Sequence, residues 1–414
     1  MKHRIVPALL VSLGLVTVAC SDDKKDSTPA ETTAPQETTG DTADDSGTTV
    51  APGDCTLDAP LKIGYAADMS ELGAAADTPG VAAAQYMIDR INEAGGVGGQ
   101  QIEFEMKDVQ GDPAATQRAA QELLDGGASA IIGPPFANTG APLMDTVDGS
   151  VPIVFMSSTD PSLADPSRGA FLATFSDPVQ SSAMAEFALS EGYTKAVTFS
   201  STDDVYFSGN PEYFTTVFEA GGGSTLADYS YSLGDADFST QVNEIAALDD
   251  KPEVLFTAMI MPLVQTLIEQ LDAAGLGDVV VMGVDAFDAT GIVTAGDVAN
   301  GVFFSAHTFP TADNGVQQFL DDATAAGAEI ETVSFGALAA DAVQIIVAAA
   351  TEACSTDGAT LISAIDNLVN VPVTTGTVTY NGTGGVPEKD VVILKVEGGE
   401  PVFVEAIRPE NIPG

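Results

Sequence analysis

The chain has 414 residues, of which 45% are hydrophobic. A chain of this length is larger than a single domain with one hydrophobic core, so we expect two domains or lobes. Its 60 acidic and 14 basic residues give a formal net charge of −46. A surface of this charge repels phosphate backbones, so nucleic acid is excluded as a partner.

The first 19 residues carry two basic side chains, a short apolar run over 5–15 and small residues directly before Cys20. This order is typical of a secretory signal peptide, and the run is shorter than the about 20 apolar residues of a membrane-spanning helix. The segment resembles a bacterial lipoprotein signal peptide, which implies that Cys20 becomes the lipid-carrying amino terminus. An ordinary signal peptide with an incidental Cys20 is the alternative.

Residues 20–59 are predicted to form a lipid anchor followed by a disordered tether. The tract over 21–54 is rich in Thr, Ser, Pro and acidic residues and almost free of large apolar side chains. Such a composition cannot bury enough surface to offset chain entropy. A flexible chain of this length spans on the order of 30 Å, which is enough to hold a globular body away from a membrane.

Two further cysteines follow the tract. Cys55 precedes the first predicted strand, and Cys354 follows an apolar helix predicted over 335–353. Outside the cytoplasm such a pair is a candidate disulfide, which would fasten the beginning of the fold to a late helix. Two separate buried thiols are the alternative.

Short apolar strands alternate with helices along the rest of the chain, which predicts an α/β fold with parallel sheets. Strands are predicted at 61–66, 102–107, 130–132, 152–156, 196–199, 254–257 and 279–282. Helices are predicted at 79–94, with Pro79 near its start, at 112–124, at 213–220, at 263–274 and at 335–353, and another ends over 186–191. Ligands of open α/β sheets bind beyond the carboxyl ends of the strands, so the loops there are expected to carry the function.

Several segments resemble the type I periplasmic binding proteins, specifically the branched-chain amino acid and amide group that includes leucine-binding proteins. The likeness covers about residues 60–405, and INEAGGVGG with the acidic positions that follow it is the most specific part. The matching segments are KIGY at 62–65, INEAGGVGG at 91–99, Asp108 with DP at 112–113, AIIGP at 130–134, SSTDPSL at 157–163 and DFS at 237–239.

The resemblance implies two Rossmann-like lobes joined by a three-crossover hinge, with the ligand cleft between them. Lobe 1 is expected over 60–177 and 307–372. Lobe 2 is expected over 178–306 and 373–414.

The resemblance also implies ligand contacts from lobe 1. The loop after strand 130–132 supplies backbone at Ala137 and side chains at Asn138 and Thr139. The loop Ser157, Ser158 and Thr159 holds the ligand amino and carboxyl groups; a helix cap before Pro161 is the alternative. Ser70 is a further expected contact.

Lobe 2 is expected to contribute an acid and a lid. Asp285 is one carbon shorter than the Glu that is common in the family, and it would pair with a ligand ammonium. Tyr206 would close over the ligand, and the second lid residue is Ile260 or Met259. The alternatives are that Asp285 is one more loop acid of an acid-rich chain and that Tyr206 packs at a lobe surface.

The expected function is that of a secreted, lipid-anchored or periplasmic solute-binding protein. It would capture an amino acid or amide by hinge closure and deliver it to an ABC transporter permease as a monomer; a sensing module for a receptor or kinase is the alternative. An enzyme is not expected, because the chain after residue 20 has one histidine, His307, and no nucleophile elbow or metal-ligand spacing. No cofactor or metal is expected.

Overall fold

The structure, a computed structural model, describes residues 55–289, 291–312, 314–330 and 332–413. The predicted signal peptide, Cys20 and most of the predicted tether lie outside these residues. The described strands are β1 Lys62–Ala67, β2 Glu103–Asp108, β3 Ala130–Gly133, β4 Ile153–Phe155, β5 Ala170–Leu172, β6 Lys195–Ser200, β7 Ser224–Ser230, β8 Val254–Thr257, β9 Val280–Gly283, β10 Phe303–Ala306, β11 Val371–Val373, β12 Gly376–Val378, β13 Val391–Glu397 and β14 Glu400–Ile407. The described α-helices are α1 Ala74–Glu93, α2 Pro113–Asp125, α3 Ala137–Val147, α4 Asp177–Ser190, α5 Val205–Ala220, α6 Ser239–Ala247, α7 Leu263–Ala273, α8 Ala286–Ala289, α9 Val316–Ala325, α10 Val333–Ala353 and α11 Gly358–Asp366.

The first lobe is built on a parallel sheet with strand order β2-β1-β3-β4-β5. Its central strands are buried on both faces, so their sequences are continuous apolar runs, such as AIIG in β3. One apolar cluster joins the sheet to α1 and α10, and a second joins it to α2 and α3. The sheet is therefore covered by helices on both faces.

The second lobe is built on a seven-stranded sheet with order β14-β13-β10-β9-β8-β6-β7. The strands from β6 to β10 are parallel, whereas β13 and β14 form an antiparallel hairpin at one edge. A single apolar cluster fills this lobe, with stacked rings of Phe214 and Phe256 at its centre, 4.1 Å apart. The predicted α/β fold with parallel sheets in two lobes is confirmed.

The chain passes between the lobes at three crossovers. The first lies over 173–176, the second over 307–315 and the third over 387–390, because Tyr380 and Val386 still pack in the first lobe and Val391 packs in the second. Residues 373–380 therefore lie with lobe 1 in the structure, whereas the sequence prediction began the last part of lobe 2 at 373. A hydrogen bond of 2.9 Å between Thr174 Oγ1 and His307 Nδ1 joins the first two crossovers.

Two predicted helix starts are wrong, and both of these helices contain a proline. The helix expected from Pro79 begins at Ala74, and the helix expected from Tyr213 begins at Val205, so Pro79 and Pro211 lie inside α1 and α5. A proline inside a helix removes one backbone hydrogen bond, and the first turn tolerates it best, which is why the start of α1 is predicted at Pro79. In both helices, burial of the residues ahead of the proline outweighs this cost.

Cys55 and Cys354 form a disulfide, with their Cα atoms 5.4 Å apart. Leu57 is buried, and its amide donates to the carbonyl of Gly98. Residues 55–59 therefore belong to the fold of lobe 1, although the sequence prediction placed them in the tether.

Helix α10 is long and apolar enough to cross a membrane by length and composition. Most of its residues are buried within the first lobe, where it packs along α1. It is therefore the central core helix of that lobe.

Candidate ligand-binding cleft

A cleft of about 480 Å³ lies beyond the carboxyl ends of the parallel strands and is lined by both lobes. Lobe 1 contributes Leu72, Gly73, Ala75, Ala76, Pro135, Phe136, Ser157, Thr159 and Phe335. Lobe 2 contributes Tyr206, Phe207, Ile260, Asp285, Ala286 and Ala289. The walls are mainly apolar, with a few polar groups converging on one part, which is the usual character of a small-molecule site.

Five of the predicted contacts line the cleft together: Ser157, Thr159, Tyr206, Ile260 and Asp285. They come from loops after β4, β8 and β9 and from the start of α5, so the fold gathers residues that are far apart in sequence.

The other predicted contacts lie outside this lining. Ser70 is exposed, and its hydroxyl donates to Asp108 Oδ2 at 2.5 Å. Ala137, Asn138 and Thr139 form the first turn of α3, where the Thr139 hydroxyl donates to a backbone carbonyl. Ser158 is buried, and its hydroxyl lies 3.4 Å from the backbone amide of Asp160.

Asp285 is buried directly after β9 and is held on both carboxylate oxygens. The Tyr206 hydroxyl donates to Oδ1 at 2.7 Å, and His307 Nε2 lies 3.1 Å from Oδ2. The backbone amide of Ala286 donates to the same Tyr206 hydroxyl at 3.1 Å. The Tyr206 hydroxyl is therefore held by both the acid and the backbone of the residue that follows it.

Burial alone raises the pKa of the Asp285 carboxyl, but the hydrogen bond and charge of His307 and the hydrogen bond of Tyr206 outweigh it. The net pKa of Asp285 lies below its usual value, so the carboxyl is an anion at neutral pH. Burial, followed by the charge of Asp285, raises the pKa of Tyr206 well above its usual value. The phenol is therefore a fixed donor.

Behind the lobe 1 side of the cleft, Asp177 begins α4 and accepts three hydrogen bonds on Oδ1. The donors are Thr159 Oγ1 at 2.7 Å, Gln180 Nε2 at 3.0 Å and Asn210 Nδ2 at 3.0 Å. Because Thr159 is one of these donors, Asp177 fixes the orientation of a hydroxyl that lines the cleft. Burial raises the pKa of the Asp177 carboxyl to about 7.

The Ser157 hydroxyl is buried at the cleft and has no hydrogen-bond partner among the described residues. Leaving a buried hydroxyl unpaired costs on the order of 1–3 kcal/mol, so such groups are uncommon in folded proteins. An unpaired hydroxyl facing a cleft is suited to hydrogen-bonding a polar ligand atom.

Sequence reasoning did not identify three groups that shape the site. Phe136 of lobe 1 meets Tyr206 of lobe 2 edge to face, with ring centroids 6.3 Å apart, and this contact spans the cleft. Phe335 reaches the cleft from the start of α10, which the sequence predicts only as an apolar helix. The pairing of His307 with Asp285 is not predictable from the sequence, because it depends on how β9 and β10 align.

Among the described residues, no three His, Cys, Asp or Glu side chains are grouped as metal ligands. The lining formed by those residues also includes no Lys or Arg. The polar part of the cleft consists of hydroxyls, backbone groups and one carboxylate.

Comparisons with known proteins agree with this architecture. Residues 60–400 match the family described as periplasmic binding protein. The chain is 26% identical over 327 residues to the Leu/Ile/Val-binding protein BraC3 of Rhizobium johnstonii, which covers 78% of this chain and 88% of that protein. The fold is similar to a leucine-binding protein LivK of Thermotoga maritima, with a TM-score of 0.76, 23% identity and coverage of 84% of this chain and 99% of that one. It is also similar to LivJ of Streptococcus pneumoniae in complex with isoleucine, with a TM-score of 0.75, 22% identity and coverage of 85% and 100%.

Proposed function

Because the chain belongs to the periplasmic binding protein family, we propose that it captures a small amino acid or amide in the cleft and delivers it to an ABC transporter permease. The family is one of solute-binding proteins rather than enzymes, and it implies a location outside the cytoplasm. Similarity to Leu/Ile/Val-binding proteins favours a ligand with an aliphatic side chain.

The observation that carries the proposal is the polarity of the cleft. Asp285 supplies a buried anion for an ammonium group, and Ser157 supplies an unpaired hydroxyl for a carboxylate or amide. Phe136, Ile260 and Phe335 supply apolar surface for a side chain. A zwitterion needs both kinds of polar partner when it loses its water.

The ligand class is tested by calorimetry and thermal unfolding of the full chain against a panel of amino acids and amides. A ligand at 100 times its Kd is expected to stabilise the protein by about 2.7 kcal/mol. A panel that gives neither heat nor a shift of the melting temperature contradicts the ligand class.

Asp285→Ala is expected to weaken binding of an amino acid by 100-fold or more, on the order of 3 kcal/mol, because it leaves a buried ammonium without its anion. Asp278→Ala is a matched control, since Asp278 is an exposed acid just before β9 and Asp285 follows the same strand. Equal affinity of the two variants would remove Asp285 from the site.

We also propose that the protein is anchored to the outer face of the cell membrane through a lipid on Cys20. The support is the order of basic, apolar and small residues before this cysteine. Cys20→Ser is expected to move the protein from the membrane fraction to the soluble fraction. Membrane attachment that survives this substitution contradicts the anchor.

A further inference from the structure

His307 lies directly behind Asp285 as seen from the cleft. Its side chain is fully buried, and Nε2 is 3.1 Å from Asp285 Oδ2. Its ring stacks on Phe175 at 4.8 Å and meets Phe335 edge to face at 5.3 Å. The imidazole is therefore fixed in one orientation, with one nitrogen on the acid that the proposed function assigns to the ligand ammonium.

The other ring nitrogen, Nδ1, lies beside a group that can hydrogen-bond to it in either charge state of the ring. Nδ1 is 2.9 Å from the hydroxyl of Thr174. A hydroxyl can donate to a neutral Nδ1 or accept from a protonated one. His307 can therefore gain or lose a proton on Nδ1 while Nε2–H remains directed at Asp285.

The groups that face this pair are nearly all acidic or neutral. Asp288 in α8 interacts electrostatically with His307, and Asp177 and the Tyr206 phenol lie near Asp285. His307 also borders a second cavity at the hinge, which is open to solvent.

The two basic residues that line the second cavity are each paired with acids. Lys389 pairs with Asp341 at 2.8 Å, and Arg408 pairs with Glu388 and Asp390. The cleft lining has no Lys or Arg among the described residues. His307 is not part of that lining, but through its contact with Asp285 it can place a positive charge behind the acid that the ligand meets.

We propose that His307 is a specificity-determining residue whose proton sets the charge of the ligand that the cleft accepts. The inference deepens the proposed function and rests on it. With His307 neutral, Asp285 presents a full negative charge, and the cleft takes an amino acid with its ammonium. With His307 protonated, the imidazolium replaces that ammonium, and the cleft takes a carboxylate of the same shape that lacks an amino group.

The physical reason is that two cations compete for one buried anion. Unit charges a few ångströms apart in a protein interact by several times the thermal energy, so a protonated His307 opposes a second cation beside Asp285. The same proton favours an anionic ligand. A change in the protonation of His307 therefore changes which ligand charge the cleft accepts.

The test is calorimetry of the full chain with leucine and with 4-methyl-2-oxopentanoate, which has the same carbon skeleton without the ammonium. Between pH 5.5 and 8.5, leucine is expected to bind about tenfold or more tighter, and the oxo acid weaker by a similar factor. Opposite slopes for the two ligands support the inference. Slopes of the same sign overturn it.

His307→Gln is the matched variant, because an amide can donate to Asp285 without acquiring charge. It is expected to flatten both pH dependences. Asp177 also titrates near neutral pH, so the measurements are repeated in Asp177→Asn, where the effect of His307→Gln should persist. Opposite slopes that survive His307→Gln overturn the role of His307 and leave the proposed function intact.

Binding of neither ligand at any pH overturns the inference together with the assigned ligand class, and the wider ligand panel then decides the proposed function. A ligand-free measurement tests the ion pair separately. In the ¹⁵N spectrum of the histidine rings, with His307 assigned by comparison with His307→Gln, Asp285→Asn is expected to reduce the protonated fraction of His307 at pH 6.5. An unchanged fraction overturns the proposal.

Discussion

At the scale of single residues, Asp177 stands out because it is a buried acid with three neutral donors on one oxygen. Burial raises the pKa of its carboxyl to about 7, far above the value in an unfolded chain. Between about pH 4 and pH 7 the folded protein therefore holds a proton that the unfolded chain has released. The contribution of Asp177 to stability is full below this window and is lost as the pH rises through it.

Asp177→Asn is expected to stabilise the protein at pH 8 by on the order of 1–3 kcal/mol, since the amide oxygen can accept the same hydrogen bonds without a buried charge. The difference from the natural protein should vanish near pH 4, where Asp177 is itself neutral. Urea unfolding of both proteins at the two pH values measures this. A lower stability of the variant at pH 8 would show that the charge is favourable where it lies.

The residues of the site differ in how well they can be predicted from the sequence. Asp285 and Tyr206 were placed in the cleft by resemblance, because each follows a recognisable strand or loop. The hydrogen bond between them joins positions 79 residues apart, and the pairing of Asp285 with His307 depends on side-chain direction at the ends of two strands. Sequence patterns identify such strand ends but not which of their side chains meet.

At the scale of elements, β3 shows how a tight packing contact supports the cleft. A methyl group built on Gly133, the last residue of β3, would lie 2.4 Å from the ring of Phe155 in the neighbouring strand. Phe155 is fully buried and cannot move into open space. The strand end that leads to Pro135 and Phe136 of the cleft therefore requires glycine for packing.

Gly133→Ala is expected to reduce the free energy of unfolding by about 1–3 kcal/mol, the usual cost of overpacking, and to weaken ligand binding. Gly209→Ala in α5 serves as the control. A methyl group there meets only Tyr213 at an ordinary 3.4 Å, and alanine favours a helix by about 0.5–1 kcal/mol over glycine. Equal stability of the two variants, measured by urea unfolding, would contradict the packing argument.

The elements were predicted well where apolar runs were short and bounded, as in β1, β3 and β8. The starts of α1 and α5 were predicted poorly. Both helices contain a proline, Pro79 or Pro211, and both begin on the amino-terminal side of it. The edge strands β13 and β14 were not predicted at all. Their place in the second sheet depends on pairing with β10, which is distant in sequence.

At the scale of the whole molecule, the disulfide closes a loop of 299 residues. Cross-linking positions far apart in sequence reduces the entropy of the unfolded chain, and removing such a bond usually costs about 2–4 kcal/mol. The bond lies at the far end of α10 from Phe335, roughly 30 Å from the cleft at 1.5 Å per residue.

Replacing both Cys55 and Cys354 by serine is therefore expected to lower the free energy of unfolding by about 2–4 kcal/mol and to leave ligand affinity within about twofold. Guanidinium unfolding and calorimetry measure the two effects, and the natural protein under reducing conditions is the control. A large loss of affinity in a folded double variant would show that the bond shapes the cleft.

The attachment of Cys55 also determines how a mechanical load enters the molecule. The described fold begins at Cys55, which is covalently joined through its sulfur to the end of α10 in lobe 1. Tension along the preceding chain is therefore delivered through this bond into the core helix of lobe 1. Lobe 2 is connected to lobe 1 only through the three crossovers and does not carry this tension. A pull from the amino-terminal side therefore does not oppose the rotation of lobe 2 about the hinge.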